Sequence, residues 1–554
     1  MSEKEWYVAD FETTSYKYYL EHGYTKVWLY AVCDKDANMT KIGTSIEDFI
    51  QYLRSLVGKT IYFHNLKFDG EFIISYLLNA GYEYTDDLPH VKKGFSVLIG
   101  EMGEFYGIDI KFSTNRNVHL KDSLKLLPFK VSKIAKDFGL PILKLDLDYE
   151  SYEVTEKAIE YISHDVRIIA MALAQIKQEG MNKMTTASCA YSQYSSMISD
   201  DFARQAFPLL EDSFLEEWRN AYRGGRSQVN PYYQGKLLHN VKRYDLNSMY
   251  PAIMYNEELP YGLPIEIKEM GSANFELYKV QIQFSLKEGH LPCLLKKASL
   301  FSLDDSYYIE TDGIELLWIS NIDYQLVKKH YDILYLKVEK MYGFRTTTYM
   351  FKSYVSKWYE RKSKDVGAKK VVDKLMLNSL YGKFGSKNKG YHKIPYMDVE
   401  SGVVKYKHSE IEDMKKYYLP IAIAITSYAH KYIDDAICAA GIENFVYCDT
   451  DSVHTLGSLP SNMVDNKELG KFKLEGVETK SKYVRQKTYI YKENGEIVIT
   501  CAGMSQDMKD SVINTYGEKS FDMFQKGLLV GGKLLPKHVP GGVVLYETTF
   551  QIKL

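Results

Sequence analysis

At 554 residues the chain is long enough for several domains with separate cores, and its 45% hydrophobic and 26% charged content is that of ordinary water-soluble proteins. A formal net charge of −2 carries no global basic signature for nucleic acid, although metal-binding carboxylates would offset basic grooves elsewhere. Six cysteines (33, 189, 293, 438, 448 and 501) form no close pair, and no apolar run reaches membrane length, which argues against zinc-ribbon and membrane-spanning readings and for a reducing, cytosolic location.

The chain opens with a predicted strand, Trp6-Tyr-Val-Ala-Asp10-Phe-Glu12-Thr-Thr, followed by another over residues 26–34. Asp10 and Glu12 stand at i and i+2 and share a strand face. Residues 60–69 read as a strand running into a helix, with Asn65 and Asp69 four apart on one helical face. A helix over residues 156–178 carries Tyr161 and Asp165, also four apart. Each acid alone could be a solvated cap. Asp10, Glu12, Asp69 and Asp165 together are the complement that two divalent cations roughly 3.5–4 Å apart require for phosphodiester hydrolysis.

After an amphipathic helix near residues 213–220, Tyr222-Arg223-Gly224-Gly225-Arg226 pairs two glycines, which permit close backbone approach, with arginines suited to phosphate. In Lys242-Arg-Tyr-Asp245-Leu-Asn-Ser-Met249-Tyr250-Pro251 a strand is predicted to end at Asp245, and the proline stops or redirects the chain beyond it. Residues 352–393 hold 12 Lys/Arg against 3 Asp/Glu. Within them Lys370, Lys374, Asn378 and Tyr381 fall on one helical face suited to a triphosphate and a stacked base. Gly382 is expected to close that helix.

Farther on, Phe445-Val-Tyr-Cys-Asp449-Thr-Asp451-Ser-Val453 sets two carboxylates on one face of an apolar strand turn. Like charges held there need a cation, and oxygen ligands suit Mg²⁺ or Mn²⁺. Asp-X-Asp also occurs in acidic turns and in metal-dependent glycosyl transfer. Residues 500–554 read as a small β-rich unit.

These motifs, in this order, resemble family B DNA polymerases. Asp-X-Glu, Asn-X3-Asp and Tyr-X3-Asp look like the three motifs of their proofreading 3′–5′ exonucleases. The resemblance implies that Tyr161 orients the attacking water, that Lys144 assists, and that Asn65, Phe68, Ser123 and Leu124 hold the frayed single strand, where aromatic stacking is sequence-tolerant. Tyr222, Arg223, Gly224 and Gly225 resemble the Tyr-X-Gly-Gly loop that partitions the primer end. Residues 245–251 match Asp-X-X-Ser-Leu-Tyr-Pro, with Met249 for Leu, a swap that roughly conserves volume. By that likeness Asp245 and Asp451 bind two ions with Asp449 in support, and Tyr250 packs under the sugar and excludes a 2′-hydroxyl. Lys374 to Gly382 match Lys-X3-Asn-Ser-X-Tyr-Gly, so that Lys374, Lys370 and Lys362 would neutralise phosphates while Asn378 and Tyr381 meet the nascent base pair. Lys487-Thr-Tyr489 resembles the Lys-X-Tyr motif that steadies the primer.

Two inserts, residues 257–350 and 386–417, lie where the protein-primed branch carries its terminal-protein regions, and the chain as a whole is similar to the small replicases of terminal-protein bacteriophages (phi twenty-nine-like). The implied fold is an RNase H-like α/β exonuclease domain (1–185) joined to an α+β right-hand polymerase: palm (186–256 and 418–510), fingers (351–385) and thumb (511–554), with the two inserts. The implied function is protein-primed, DNA-directed DNA synthesis on a linear phage-type genome, by two-metal nucleotidyl transfer, with proofreading and strand displacement. The first insert would dock a separate priming protein and the second would close a ring around DNA. Expected partners are template and primer DNA, dNTPs and that priming protein, the enzyme acting as a monomer or as a heterodimer with it in the host bacterial cytoplasm. A linear-plasmid polymerase and one primed only by nucleic acid are the near alternatives. A metal-dependent glycosyltransferase and a nucleic-acid-binding protein with a silent active site are the distant ones.

Overall fold

Strand Val27–Asp34 is apolar and buried from Val27 to Cys33 because both of its faces are covered. In the computed structural model, which describes residues 5–112, 116–146, 151–296 and 306–553, it belongs to an eight-stranded sheet. The centre of that sheet is parallel: Trp6–Thr13 beside Thr60–Phe63, and Thr60–Phe63 beside Val118–Asp122. Trp6 and Val8 face the helix Glu156–Gln178, packing with Ile162, Val166 and Ile169. Ala9 and Phe11 face the helix Leu66–Asn79. The period-2 alternation therefore carries Asp10 and Glu12 onto the side from which Asp165 comes.

A five-stranded antiparallel sheet forms the palm, in the order Phe472–Glu478, Val241–Leu246, Ser452–Thr455, Phe445–Asp449 and Ser227–Val229. The helix Leu419–Ala440 backs it, with Ile421, Ile425, Ile433 and Ile437 buried and Pro420 in the first turn, where a missing N–H costs nothing. Between the two halves of this sheet in sequence lies a four-stranded sheet built from Leu259–Glu266, Tyr331–Thr347, Phe275–Leu286 and Glu315–Ser320. Its helix Asn321–His330 is capped by Ser320 and ends in Lys328, Lys329 and His330, cations that suit a helix C-terminus.

The basic segment forms the helices Lys352–Lys364 and Gly367–Phe384. Gly382 does not close the second one. The helix runs on to Phe384 and ends at Gly385, because Phe384 packs against Tyr191, Phe207 and Phe351, and that burial stabilises the last turn. Residues 386–417 contain the hairpin Lys393–Asp398/Val403–His408. The carboxy-terminal part is less purely β than expected: the helix Gln506–Tyr516 precedes the long hairpin Leu529–Val539/Gly542–Gln551. Among the described residues no helix is long and apolar enough to cross a membrane.

Candidate active sites

Two separate carboxylate centres emerge. In the first, Glu12, Asp69 and Asp165 are buried and Asp10 is partly so, and their charges act on one another. Burial and the Asp165 charge push Asp10 up to about 7, while burial and Asp10 push Glu12 up to about 9. Burial, then Asp10, raises Asp69 well above the usual carboxylate range. Burial raises Asp165 too, against the opposing pull of Lys144, whose ammonium is paired with it and lies 4.8 Å over the buried ring of Tyr161. Asp165 Oδ1 is buried and has no hydrogen-bond partner.

Asn65 does not share the helix face with Asp69. It sits ahead of the first helical residue in a left-handed conformation (φ 77°), which asparagine tolerates. Asp122 holds that turn, accepting from the N–H groups of Asn65 (3.0 Å), Leu66 (3.4 Å) and Leu124 (3.0 Å). Sequence reasoning missed Asp122; its signal was an aspartate two residues before Leu124, in the spacing of an Asx turn. Asn65 is exposed and Phe68 and Leu124 are partly so, but Ser123 is fully buried. Its hydroxyl donates to the Phe63 carbonyl at 3.0 Å, so it shapes the floor of the site and presents nothing to a strand.

The second centre lies at the end of the palm sheet. Asp245 is paired with Ser452 across the ladder, the Leu246 N–H donates to the Asp451 carbonyl (2.8 Å), and Thr450 takes a left-handed φ of 58° in the turn between Asp449 and Asp451. Burial and the neighbouring Asp451 push Asp245 up to about 6, and burial raises Asp451. Lys362 donates to Ser248 Oγ at 2.9 Å, and burial beside Lys374 lowers its affinity for a proton. Lys370, Lys374 and Asn378 form the exposed stripe of their helix, opposite buried Val372, Met376 and Leu380. Tyr381 turns inward to stack on Tyr250, centroids 3.9 Å apart.

The loop between the centres departs from expectation. Arg223 and Arg226 face the interior, not a phosphate backbone. Arg223 donates to the carbonyls of Leu295 (3.0 Å) and Trp318 (3.2 Å), and Arg226 to Asp434 (3.2 Å) and the Pro292 carbonyl (3.2 Å). The physical reason is that carbonyls of the first insert lie behind the loop and would otherwise be buried without donors. Gly224 is open to solvent-side approach, Gly225 abuts Thr450, and Tyr222 packs beneath Gly385 at the helix end. Lys487 is exposed, and its ammonium is paired with Asp449. Tyr489 stacks on Tyr483 at 5.0 Å.

The profile of the family described as DNA polymerase type B, organellar and viral, matches residues 52–153 and 148–469. The DNA polymerase of Bacillus phage PZA is 37% identical over 588 aligned positions, covering 99% of this chain and 100% of that protein. The DNA polymerase of Streptococcus phage Cp-1 is 33% identical, covering 99% and 98%. Phi29 DNA polymerase complexed with primer-template DNA superposes with a TM-score of 0.91 at 34% identity, over 100% of both chains. The arrangement of exonuclease, palm, fingers and thumb is therefore that of the phi29 enzyme. The chain belongs to the type B DNA polymerases, in their phi29-like branch, and is a DNA-directed DNA polymerase with an exonuclease unit.

Proposed function

We propose that the chain is a protein-primed replicase that extends DNA at the Asp245/Asp449/Asp451 centre, proofreads at the Asp10/Glu12/Asp69/Asp165 centre and displaces the strand ahead. The observation that carries this reading is that two acids that resist ionising together, Asp245 and Asp451, lie near the ammonium groups of Lys362 and Lys374 from the two basic helices.

Both centres suit divalent cations by the chemistry of their donors: all-oxygen sets, mutually repelling, with a buried Asp165 oxygen that nothing else satisfies. Asp245 and Asp451, supported by Asp449, would hold Mg²⁺ or Mn²⁺ in the palm, and Asp10, Glu12, Asp69 and Asp165 would hold it in the exonuclease. Bound there, such ions supply an activated oxygen nucleophile and charge neutralisation of the leaving group. Lys362, Lys370 and Lys374 bind the triphosphate oxygens. Tyr250, which stacks on Tyr381, would pack under the sugar and exclude a 2′-hydroxyl, and Asn378 would border the base pair. In the exonuclease, Lys144 holds Asp165 in place and Tyr161 positions water, while Asn65, Phe68 and Leu124 line the strand's path. Tyr222, Gly224 and Gly225 pass the primer end between centres, and Lys487 and Tyr489 steady it.

Relatives support the partners. Phi29 DNA polymerase has been captured with primer-template DNA and with incoming nucleotide substrates. Protein priming rests on membership of that branch and on the two inserts at residues 257–350 and 386–417. The second insert meets the carboxy-terminal hairpin over the exonuclease helix, as closure of a ring around DNA requires: Tyr406 donates to Glu71 at 2.8 Å, and His538 Nδ1 lies 3.4 Å from the same carboxylate. Incorporation of dNTPs on a primed single-stranded template, with Mg²⁺ or Mn²⁺, tests the reading. Wild type should extend the primer, and Asp245→Ala should not; an Asp245→Ala variant that extends at the wild-type rate would overturn it.

A further inference from the structure

Arg226 lies one residue ahead of the edge strand Ser227–Val229, which pairs with Phe445–Asp449 so that Ser227 stands opposite Asp449. Its backbone carbonyl accepts the Thr450 N–H at 2.7 Å, inside the turn that separates Asp449 from Asp451. Gly225, one residue earlier, lies so close that an added Cβ would meet the Thr450 side chain at 3.0 Å. The position of Arg226 therefore sets the position of that turn.

The Arg226 side chain is itself held from behind. The side chains of Arg226 and Asp434 are each only 1% exposed, and Arg226 Nη1 donates to Asp434 Oδ1 at 3.2 Å while Nε donates to Gln228 Oε1 at 3.1 Å. Asp434 belongs to the helix backing the palm; Cys438 of the same helix donates to its Oδ2 at 3.8 Å, and two further partners come from the first insert. Lys329 Nζ donates to Oδ2 at 2.7 Å and His330 Nε2 lies 2.9 Å from Oδ1. Burial opposes ionisation of Asp434, yet His330, Arg226 and Lys329 hold its carboxyl well below the usual carboxylate range. His330, Asp434 and Cys438 have ligating atoms close enough for a metal ion, but the Lys329 ammonium lies between Asp434 Oδ2 and Cys438 Sγ, 3.1 Å from the sulfur, and supplies the cation there. A third residue of the first insert, Tyr307, grips the strand Ser227–Val229 by both backbone groups of Ser227, at 2.8 and 3.1 Å.

We infer that Arg226 and Asp434 are positioning residues for the Asp449-Thr450-Asp451 turn, and that Lys329 and His330 make the metal-binding geometry of that turn responsive to the first insert. The inference rests on the reading that Asp245, Asp449 and Asp451 hold the catalytic ions. Asp434 is a buried carboxylate paired with Arg226 and Lys329, and removing its charge leaves Arg226 without a counter-ion in the interior. The guanidinium then shifts and carries its carbonyl, and so Thr450, with it. A partner that moves helix Asn321–His330 would act along the same path.

The test is the Mg²⁺ concentration giving half-maximal primer extension, measured for wild type, Asp434→Asn and Lys329→Met, with 3′–5′ degradation of single-stranded DNA at saturating Mg²⁺ as the control for folding. Asp434→Asn should raise the half-maximal Mg²⁺ roughly three- to tenfold, and Lys329→Met about two- to threefold in the same direction, with degradation within about twofold of wild type. A general loss of stability would lower both activities and leave the Mg²⁺ midpoint where it was. Unchanged midpoints in both variants would overturn the inference. If Asp434→Asn fails to fold, as loss of degradation would reveal, the midpoint of Lys329→Met decides alone, since that side chain is 43% exposed and its replacement leaves Asp434 with Arg226 and His330. Extension that survives in Asp451→Ala would count against the metal-holding reading itself, and not against the coupling.

Discussion

Lys487 reaches from the loop between strands Lys480–Arg485 and Thr488–Glu493 to Asp449, with its ammonium nitrogen 2.8 Å from both carboxylate oxygens. The lysine thus carries a positive charge at the edge of the acidic turn, at the place where a primer phosphate would arrive with its own negative charge. Lys487 is 56% exposed, so the pair contributes little to stability. In the proposed reading Lys487 would serve the primer, because ions held beside Asp449 would free the ammonium for the DNA backbone.

Lys487→Met should accordingly leave the melting temperature nearly unchanged and weaken primer binding severalfold. The slope of log affinity against log salt should fall by about one. Equilibrium binding to a primed template at several salt concentrations checks this.

The exonuclease acids make the metal-free protein sensitive to alkali. Glu12 rises from 4.5 to about 9 and Asp10 from 3.8 to about 7 in the folded chain, so the native state binds protons that the unfolded state has released. Stability from these groups is present at low pH and is lost as pH rises from about 4.5 to about 9. Melting in chelator should show a falling transition temperature across that window. Added Mn²⁺ should restore it, most strongly at the alkaline end, because the ligands must be deprotonated. Asp10→Asn should flatten the pH dependence.

His538 supplies a second case of the same sign. Its hydrogen bond to Glu71 raises its pKa above the ordinary 6.5. Lys67 and Lys393 oppose the shift, and Tyr406 shares the carboxylate. The contact is strongest while the imidazole is charged and is lost as pH rises through that elevated value. Strand-displacing products should therefore shorten on going from pH 6.5 to pH 8.5, and His538→Ala should give the short products at both.

Tyr250 and Tyr381 stack with 25° between their planes, and in the proposed reading this pair would lie beneath the nucleotide sugar. Tyr250→Val should raise ribonucleotide incorporation relative to deoxyribonucleotide by about ten- to a hundredfold, with the Km for dNTP rising less. Single-nucleotide insertion kinetics check the ratio.

Both carboxylate centres were legible in the chain because local spacing places their members. Alternation puts Asp10 with Glu12, and helical spacing puts Tyr161 with Asp165 and Lys370 with Lys374; Asp449 and Asp451 meet through the tight turn at Thr450 rather than through strand alternation. The direction of Arg223 and Arg226 was not legible. Beside two glycines an arginine can face a ligand or the interior, and the carbonyls that settle the matter belong to residues 66 or more positions away. The meeting of Glu71 with Tyr406 and His538 was hidden for the same reason: each partner comes from a different part of the fold. Gly382 misled because a glycine ends a helix only where no buried side chain extends it, and Phe384 lies two residues on.

The central claim is that one chain holds two independent centres, one that synthesises and one that degrades. Its most direct test is a single assay: a primer on a template ahead of a blocking strand, with Mg²⁺ and dNTPs, for wild type, Asp451→Ala and Asp165→Ala, following extension and 3′–5′ degradation together. The account predicts long products past the block for wild type, no extension but continued degradation for Asp451→Ala, and extension with degradation reduced at least roughly a hundredfold for Asp165→Ala. Loss of both activities in each folded single variant would contradict it.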